Sequence, residues 1–248
     1  MTSGATESIR ADRDALVQLC AGFGDAEWKS PSGCEGWSVQ DVVAHMGALF
    51  WLAVDPSVLP DTAGLATERA QDALVASRRS WSPQQVLDDY AEVSDKALLA
   101  AASFETQDFT LELGDLGTYP ANLLPNAYAF DHFTHIRLDL FAPRGPLTDG
   151  TPPVDAARVA PTLDWIEAAA PQQSEAVIGA LPGAVELVVT GPGGRVLTLG
   201  GGDVVARVES DAVTLVRWAT GRGTWEDLTI TASGDADALE LVQRVKVF

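Results

Sequence analysis

The 248-residue chain contains three histidines. They fall in two short stretches: His45 in WSVQDVVAHMGALFW, and His132 with His135 in AFDHFTHIRLDL. Asp131 and His135 are four residues apart, so on a helix they lie about 40° from each other on one face, one turn apart. Both can then reach one ion. His132 is about 60° from His135, which makes a His132/His135 pair the competing geometry and His132 the alternate ligand. On the upstream helix, with Val42 as reference, His45 falls near −60°, roughly among the apolar residues. An inward imidazole in a bundle finds its partners on facing helices. Read alone, His45 is a core histidine satisfied by one hydrogen bond. Read with the second stretch, it completes a metal site of His45, Asp131 and His135 that keeps an open position for water or substrate.

Two imidazoles and one carboxylate leave a divalent ion with vacant positions, which suits catalysis better than a structural site. A thiol bound there loses its proton near neutral pH and becomes a nucleophile without any protein cysteine. Asp139 lies one further turn along the face of Asp131, where it either orients a ligand histidine or stands as a solvated carboxylate or a partner of Arg137. Arg137 is about 160° from His135 and faces elsewhere. Arg222, just after a helix ending at Gly221, reads on sequence alone as a loop arginine. Cys34 reads as a small apolar loop residue rather than a nucleophile, and Trp37 and Trp51 as staple or core residues. The glycine runs GPGG and LGGGD lack the residues that make a phosphate-binding loop.

Four long helices position these residues. ESIRADRDALVQLCAGF has apolar residues at mostly helical spacing. Ser38 opens a second helix with a capping box closed by Asp41, and Trp37 before it is placed to staple onto Val42. Ser82 and Pro83 open a third helix that runs through Phe104. The fourth begins near Tyr119 or Asn122 and ends at Phe141, before Ala142–Pro143. A shorter helix is expected within residues 59–80. Stacking the four apolar stripes makes a bundle. APRGPLTDGTPPVD has no apolar period and reads as a linker. Beyond it, AVELVVT, RVLTL, DVVARVE and DLTITA read as strands, with helices near 155–169, 211–220 and 236–246. The fold class is therefore a helical bundle followed by a small mixed α/β domain.

A net charge of −19 repels phosphate backbones and excludes nucleic acid as a partner. Any site for a small anion must then supply its own positive charge from a metal or from arginine. No stretch reaches the roughly 18 apolar residues of a membrane span, and a polar N-terminus with two cysteines, Cys20 and Cys34, fits a cytoplasmic protein with free thiols. The pattern leaves no spare apolar helix face from which to read an oligomeric state.

CEGWSVQDVVAHMGALFW together with AFDHFTHIRLDL resembles the mycothiol-dependent maleylpyruvate isomerase family, and VTLVRWATGRGTWEDLTITASGDADALELV resembles its C-terminal domain. The resemblance implies a DinB-like metal-binding four-helix bundle over residues 1–145, a linker at 146–153 and a sterol-carrier-like α/β domain over 154–248. It implies a divalent metal, usually zinc, on His45, Asp131 and His135, mycothiol as cosubstrate, and Arg222 as a C-terminal-domain residue near the metal. The expected reaction is a mycothiol S-transfer or isomerisation of a small electrophile. The alternatives are a metal-dependent hydrolase or amidase of a small thiol conjugate, and a metal- or ligand-binding module without turnover. One departure matters: the better-known isomerases carry Glu where this chain has Asp131. A side chain shorter by one methylene needs closer helices, a water bridge or recruitment of His132.

Overall fold

The computed structural model describes residues 3–104 and 106–248. The chain forms two compact units, one from the segments up to Thr110 and Pro120–Pro153, the other from Leu111–Tyr119 and Val154–Phe248.

The first unit is helical. It contains α1 (Ser3–Cys20), α2 (Asp25–Lys29), α3 (Val39–Val54), α4 (Thr67–Ala76), α5 (Pro83–Phe104) and α6 (Leu124–Thr134), and α6 runs on into a π turn at His135–Leu140. The two expected caps are present. Ser38 Oγ accepts the Asp41 N–H at 3.2 Å while Asp41 Oδ2 accepts the Ser38 N–H at 2.9 Å. Ser82 and Gln85 make the same reciprocal pair at the start of α5. Each such box satisfies orphan amide groups of a first turn. Ile9, Leu16, Val42, Val43, Met46, Phe50, Tyr90, Val93, Ile136 and Leu140 are among the buried side chains that the bundle gathers into one core. Each large aliphatic contributes about 1.5–3 kcal/mol by leaving water.

Two helices differ from the periodicity at both ends. α1 begins earlier, at Ser3, and stops at Cys20. The fourth helix becomes α-helical only at Leu124, after a 3-10 turn at Ala121–Leu123, and its last six residues are not α-helical. Within that π turn Arg137 points to α1, away from His135. Its Nη1 and Nη2 donate to Asp12 Oδ2 and Oδ1, both at 2.8 Å, and the two side chains are 2% and 1% exposed. Nη2 also donates to the Pro153 carbonyl at 2.9 Å.

The second unit opens with a hairpin of β1 (Thr110–Glu112) and β2 (Thr118–Pro120). Three-residue strands carry too little alternation to stand out in a sequence. Tyr119 packs on Trp165, ring centroids 4.6 Å apart, and Gln172 bonds both backbone groups of Thr118 at 2.9 Å, so the hairpin belongs with α7 (Ala156–Gln173). Then come α8 (Glu175–Gly179), β3 (Ala184–Thr190), β4 (Val196–Leu199), β5 (Val204–Asp211), α9 (Ala212–Ala219), β6 (Thr231–Gly234) and α10 (Ala236–Val242). The sheet order is β4-β3-β5-β6, with β3 and β5 parallel and the outer pairs antiparallel. Val185, Leu187 and Val189 of β3 alternate inward, as do Ala206 and Val208 of β5. Strand β6 lies later than DLTITA suggests, because residues 227–230 form the end of a 3-10 turn and extended chain. No described helix is long and apolar enough to cross a membrane.

The Asp12–Arg137 pair fastens α1 to the π turn. Removing one member of a buried pair leaves an uncompensated charge, so Asp12→Ala is expected to lower the unfolding free energy by about 3–5 kcal/mol. Urea titration measures this; a loss below about 1 kcal/mol, the range of an exposed pair, would mean that the bridge does not fasten the two elements.

Candidate metal centre

The capped start of α3 sets the rotation of its second turn, and His45 there faces Asp131 and His135 at the junction of α6 with the π turn. His45 Nε2 is 3.1 Å from Asp131 Oδ1, and His135 Nε2 is 3.4 Å from the same oxygen. The imidazole centroids are 4.7 Å apart at an interplanar angle of 67°, so the rings converge edge to face. One ligand atom from each of the three residues lies within 4.8 Å of the other two. Side-chain exposures of 5%, 18% and 12% for His45, Asp131 and His135 leave one partly open side.

The donor set fits a divalent ion. Tetrahedral coordination at 2.0–2.2 Å places ligand atoms about 3.3–3.6 Å from one another, close to the two measured separations. Asp131 Oδ2 is buried without a hydrogen-bond partner among the described residues, an oxygen whose burial is costly unless a cation or donor meets it. Asp131 reaches both imidazole nitrogens directly, so the shorter side chain is accommodated by close helices rather than by a water bridge.

His132 is committed elsewhere. Its Nδ1 is 3.0 Å from the Tyr128 carbonyl and its Nε2 is 3.0 Å from the Tyr90 hydroxyl. A carbonyl only accepts, so Nδ1 carries the hydrogen and Nε2 accepts from the Tyr90 O–H. Burial pushes His132 below its ordinary pKa, consistent with a neutral ring. Neither nitrogen is left for an ion beside Asp131.

Asp139 is fully buried, and its Oδ2 lies 2.9 Å from His135 Nδ1. With Nδ1–H donating to that carboxylate, Nε2 is the nitrogen of His135 turned toward Asp131 and His45. Asp139 is also held by Arg144 and Gly33, which are bonded to each other. Arg144 Nε stands 3.6 Å from Oδ1, the Gly33 N–H donates to the Asp139 carbonyl at 2.7 Å, and Arg144 Nη2 donates to the Gly33 carbonyl. A Cβ on Gly33 would lie 2.9 Å from both Asp139 Cα and Oδ1, so only glycine permits this approach.

Helical spacing does not reach the loop before α3, which also borders the centre. Cys34 Sγ is 3.7 Å from His135 Nδ1. Trp37 packs against the core as a staple would, but its indole also lies over both imidazoles, 5.1 Å from His45 and 6.4 Å from His135 by centroid, with Nε1–H donated to Asp72 at 3.1 Å. A tryptophan directly before a capping box could have signalled this, since its ring then covers the first turns of the helix. Trp51 is occupied elsewhere, donating to Asp89 at 2.9 Å beneath Lys96. Arg222 lies in the second unit, just past α9, where its N–H donates to the Arg217 carbonyl at 2.7 Å.

Burial pushes the Asp131 carboxyl up, but the neighbouring imidazoles outweigh it and hold it well below the usual carboxylate range. Burial pushes His135 down, and the Asp131 charge, with hydrogen bonding to Asp131, Asp139 and Cys34, outweighs that and holds it well above its ordinary value. In the chain alone the pair is thus a carboxylate and an imidazolium. A raised histidine pKa contributes stability that is complete below the unfolded value of about 6.5 and is lost as pH rises through the folded value.

Chelator-treated protein is accordingly expected to lose stability as pH rises above about 6.5, with a slope that His135→Gln flattens; denaturant midpoints across pH measure it, and an unchanged slope would place the proton elsewhere. His45→Ala is expected to remove the zinc ion held by His45, Asp131 and His135, which equilibrium dialysis reads as the loss of one equivalent per chain. Asp139→Asn, which alters the carboxylate partner of His135, is expected to weaken zinc binding at that same centre about 10–100-fold.

Residues 9–141 match the family model of the mycothiol maleylpyruvate isomerase N-terminal domain, and residues 147–241 match that of the MDMPI C-terminal domain. No curated protein sequence matches the chain. Solved structures that share its fold include a mycothiol-dependent maleylpyruvate isomerase, with a TM-score of 0.61, and a histidine-to-alanine mutant of such an isomerase, with a TM-score of 0.59; each is 15% identical, and the alignments cover 95% of either chain. With matches over both units, the chain belongs to the mycothiol maleylpyruvate isomerase family.

Proposed function

We propose that this protein is a metal-dependent enzyme that uses mycothiol to isomerise, or to transfer sulfur to, a small electrophile. The observation that carries the reading is the convergence of His45 Nε2, Asp131 Oδ1 and His135 Nε2 on one partly open point. Three protein ligands with room for another suit catalysis. Family membership supplies the thiol, and the isomerases that share the fold act on maleylpyruvate by name.

His45, Asp131 and His135 hold the ion, zinc by donor chemistry. A divalent ion there supplies a Lewis acid that lowers the pKa of a thiol toward neutrality. Asp139 fixes the tautomer of His135, and Arg144 and Gly33 fix Asp139. Trp37 covers the imidazoles on one side and excludes water there. The substrate class is an activated alkene such as a cis-enone acid, in which reversible thiol addition turns the double bond into a rotatable single bond and departure of the thiol restores it as trans. Free thiols at Cys20 and Cys34 favour a reducing, cytoplasmic setting.

Zinc-loaded protein is to be assayed with an activated alkene and, in parallel, mycothiol, glutathione or no thiol. Turnover confined to mycothiol is the expected result, lost in His45→Ala. Thiol-free hydrolysis would replace the proposal with a metal hydrolase, and stoichiometric zinc without turnover of any alkene offered would replace it with a binding module.

A further inference from the structure

His135 has two ring nitrogens, and only Nε2 belongs to the centre described above. The other faces a second set of metal-ligating groups. Cys34 Sγ lies 3.7 Å from His135 Nδ1, Asp139 Oδ2 lies 2.9 Å from the same nitrogen, and one donor atom from each of the three falls within 4.8 Å of the others. For bonds of about 2.3 Å to sulfur and 2.0–2.2 Å to nitrogen or oxygen, a shared ion requires separations of about 3.3–3.6 Å. The measured sulfur–nitrogen and nitrogen–oxygen distances fall on either side of that range, within a few tenths of an ångström.

The arrangement is held from both sides of the cleft between the π turn and the loop before α3. Ser32 Oγ accepts the Cys34 N–H at 3.1 Å, and the Cys34 carbonyl accepts the Trp37 N–H at 3.1 Å, so the loop carrying the thiol is closed on itself. Gly33, the neighbour of Cys34, is bonded to the Asp139 backbone at 2.7 Å with no space for a Cβ. The thiol is therefore carried to the carboxylate by main-chain contact rather than by a flexible side chain. Arg144 Nε stands by Asp139 Oδ1, and His135 Nδ1 stands by Asp139 Oδ2. Cys34 is half-buried, which gives an ion a route in, whereas the other cysteine, Cys20, is buried with its thiol pushed up to about 12.

We propose that Cys34, His135 Nδ1 and Asp139 form a second metal position, on the opposite nitrogen of the imidazole shared with the first centre, and that it takes a thiophilic ion. Thiolate, imidazole and carboxylate together select zinc, cadmium or cobalt over magnesium and calcium. Ligation exchanges the thiol proton of Cys34, and the proton on His135 Nδ1, for the ion; both protons pass to solvent. The position rests on geometry independent of His45 and Asp131, so its occupancy is separable from the proposed catalytic centre. Because its ion displaces the Nδ1–H bond to Asp139 that orients His135, filling it is expected to inhibit an enzyme whose first centre is already loaded.

The test is equilibrium dialysis of the full chain against cobalt and against cadmium, with metal counted per chain and the thiolate-to-metal charge-transfer band recorded. Wild type is expected to bind two ions and show the band, His45→Ala to bind one and keep the band, and Cys34→Ser to bind one and lose it. Circular dichroism of each variant establishes that the fold is retained, and Cys34→Ala serves as a second replacement should the serine variant not fold. A wild type that binds one ion without the band, with His45→Ala binding none, overturns the second position and leaves the proposed function standing. Loss of all bound metal in Cys34→Ser with none lost in His45→Ala would sustain the second position and overturn the first.

Discussion

The carboxylate of Asp131 sits between the imidazoles of His45 and His135 with little access to water, and the packing of the bundle follows from that constraint. An ionised carboxylate at such a position is tolerable only beside positive charge. Without an ion the charge is a proton on His135; with one it is the metal. In either state α3 and α6 must approach closely enough for an aspartate, a side chain with little reach, to touch both rings. Val42, Met46, Phe50, Ile136 and Leu140 make that approach favourable by burying their surfaces beside the site.

The π turn gives the last helix two tasks that an ordinary helix end would not combine. Its residues His135 and Asp139 are directed to the centre, while Arg137, between them, is directed to α1 and is satisfied there by Asp12 and the Pro153 carbonyl. Turns of this kind recur at functional sites because the wider ring re-aims side chains at a local cost in regularity. Here the cost is offset by a buried ion pair on one side and by the Gly33–Asp139 backbone contact on the other. The loop before α3 is accordingly part of the centre and not only its approach: it contributes glycine for proximity, Cys34 beside the imidazole and Trp37 above it.

The chain is strongly acidic, yet the arginines of the helical unit that lie near the centre are spent on structure. Arg137 neutralises Asp12, and Arg144 neutralises Asp139 and binds the Gly33 carbonyl. Histidine 132, similar in sequence position to a ligand, serves as a core strut between the Tyr128 carbonyl and the Tyr90 hydroxyl. Such fully satisfied polar contacts inside a core fix helix rotation more strictly than apolar packing does. That rotation is what brings His45 to Asp131.

The sequence by itself determined the helices and their caps, because Ser38 with Asp41 and Ser82 with Pro83 are local signals that lie within four residues. It determined the face shared by Asp131 and His135, since helical spacing is also local, and the change from helical to alternating pattern near residue 150. It did not reveal the hairpin at 110–120, whose strands are too short to carry a period, or the π turn, which depends on Arg137 finding Asp12 more than a hundred residues away. Which partners each ring finds was likewise tertiary: His132 meets the Tyr90 hydroxyl, while His45 and His135 meet Asp131. The nearness of Cys34 and Gly33 to Asp139 joins a loop and a turn that no periodicity connects; only packing two distant segments against one core could bring them together.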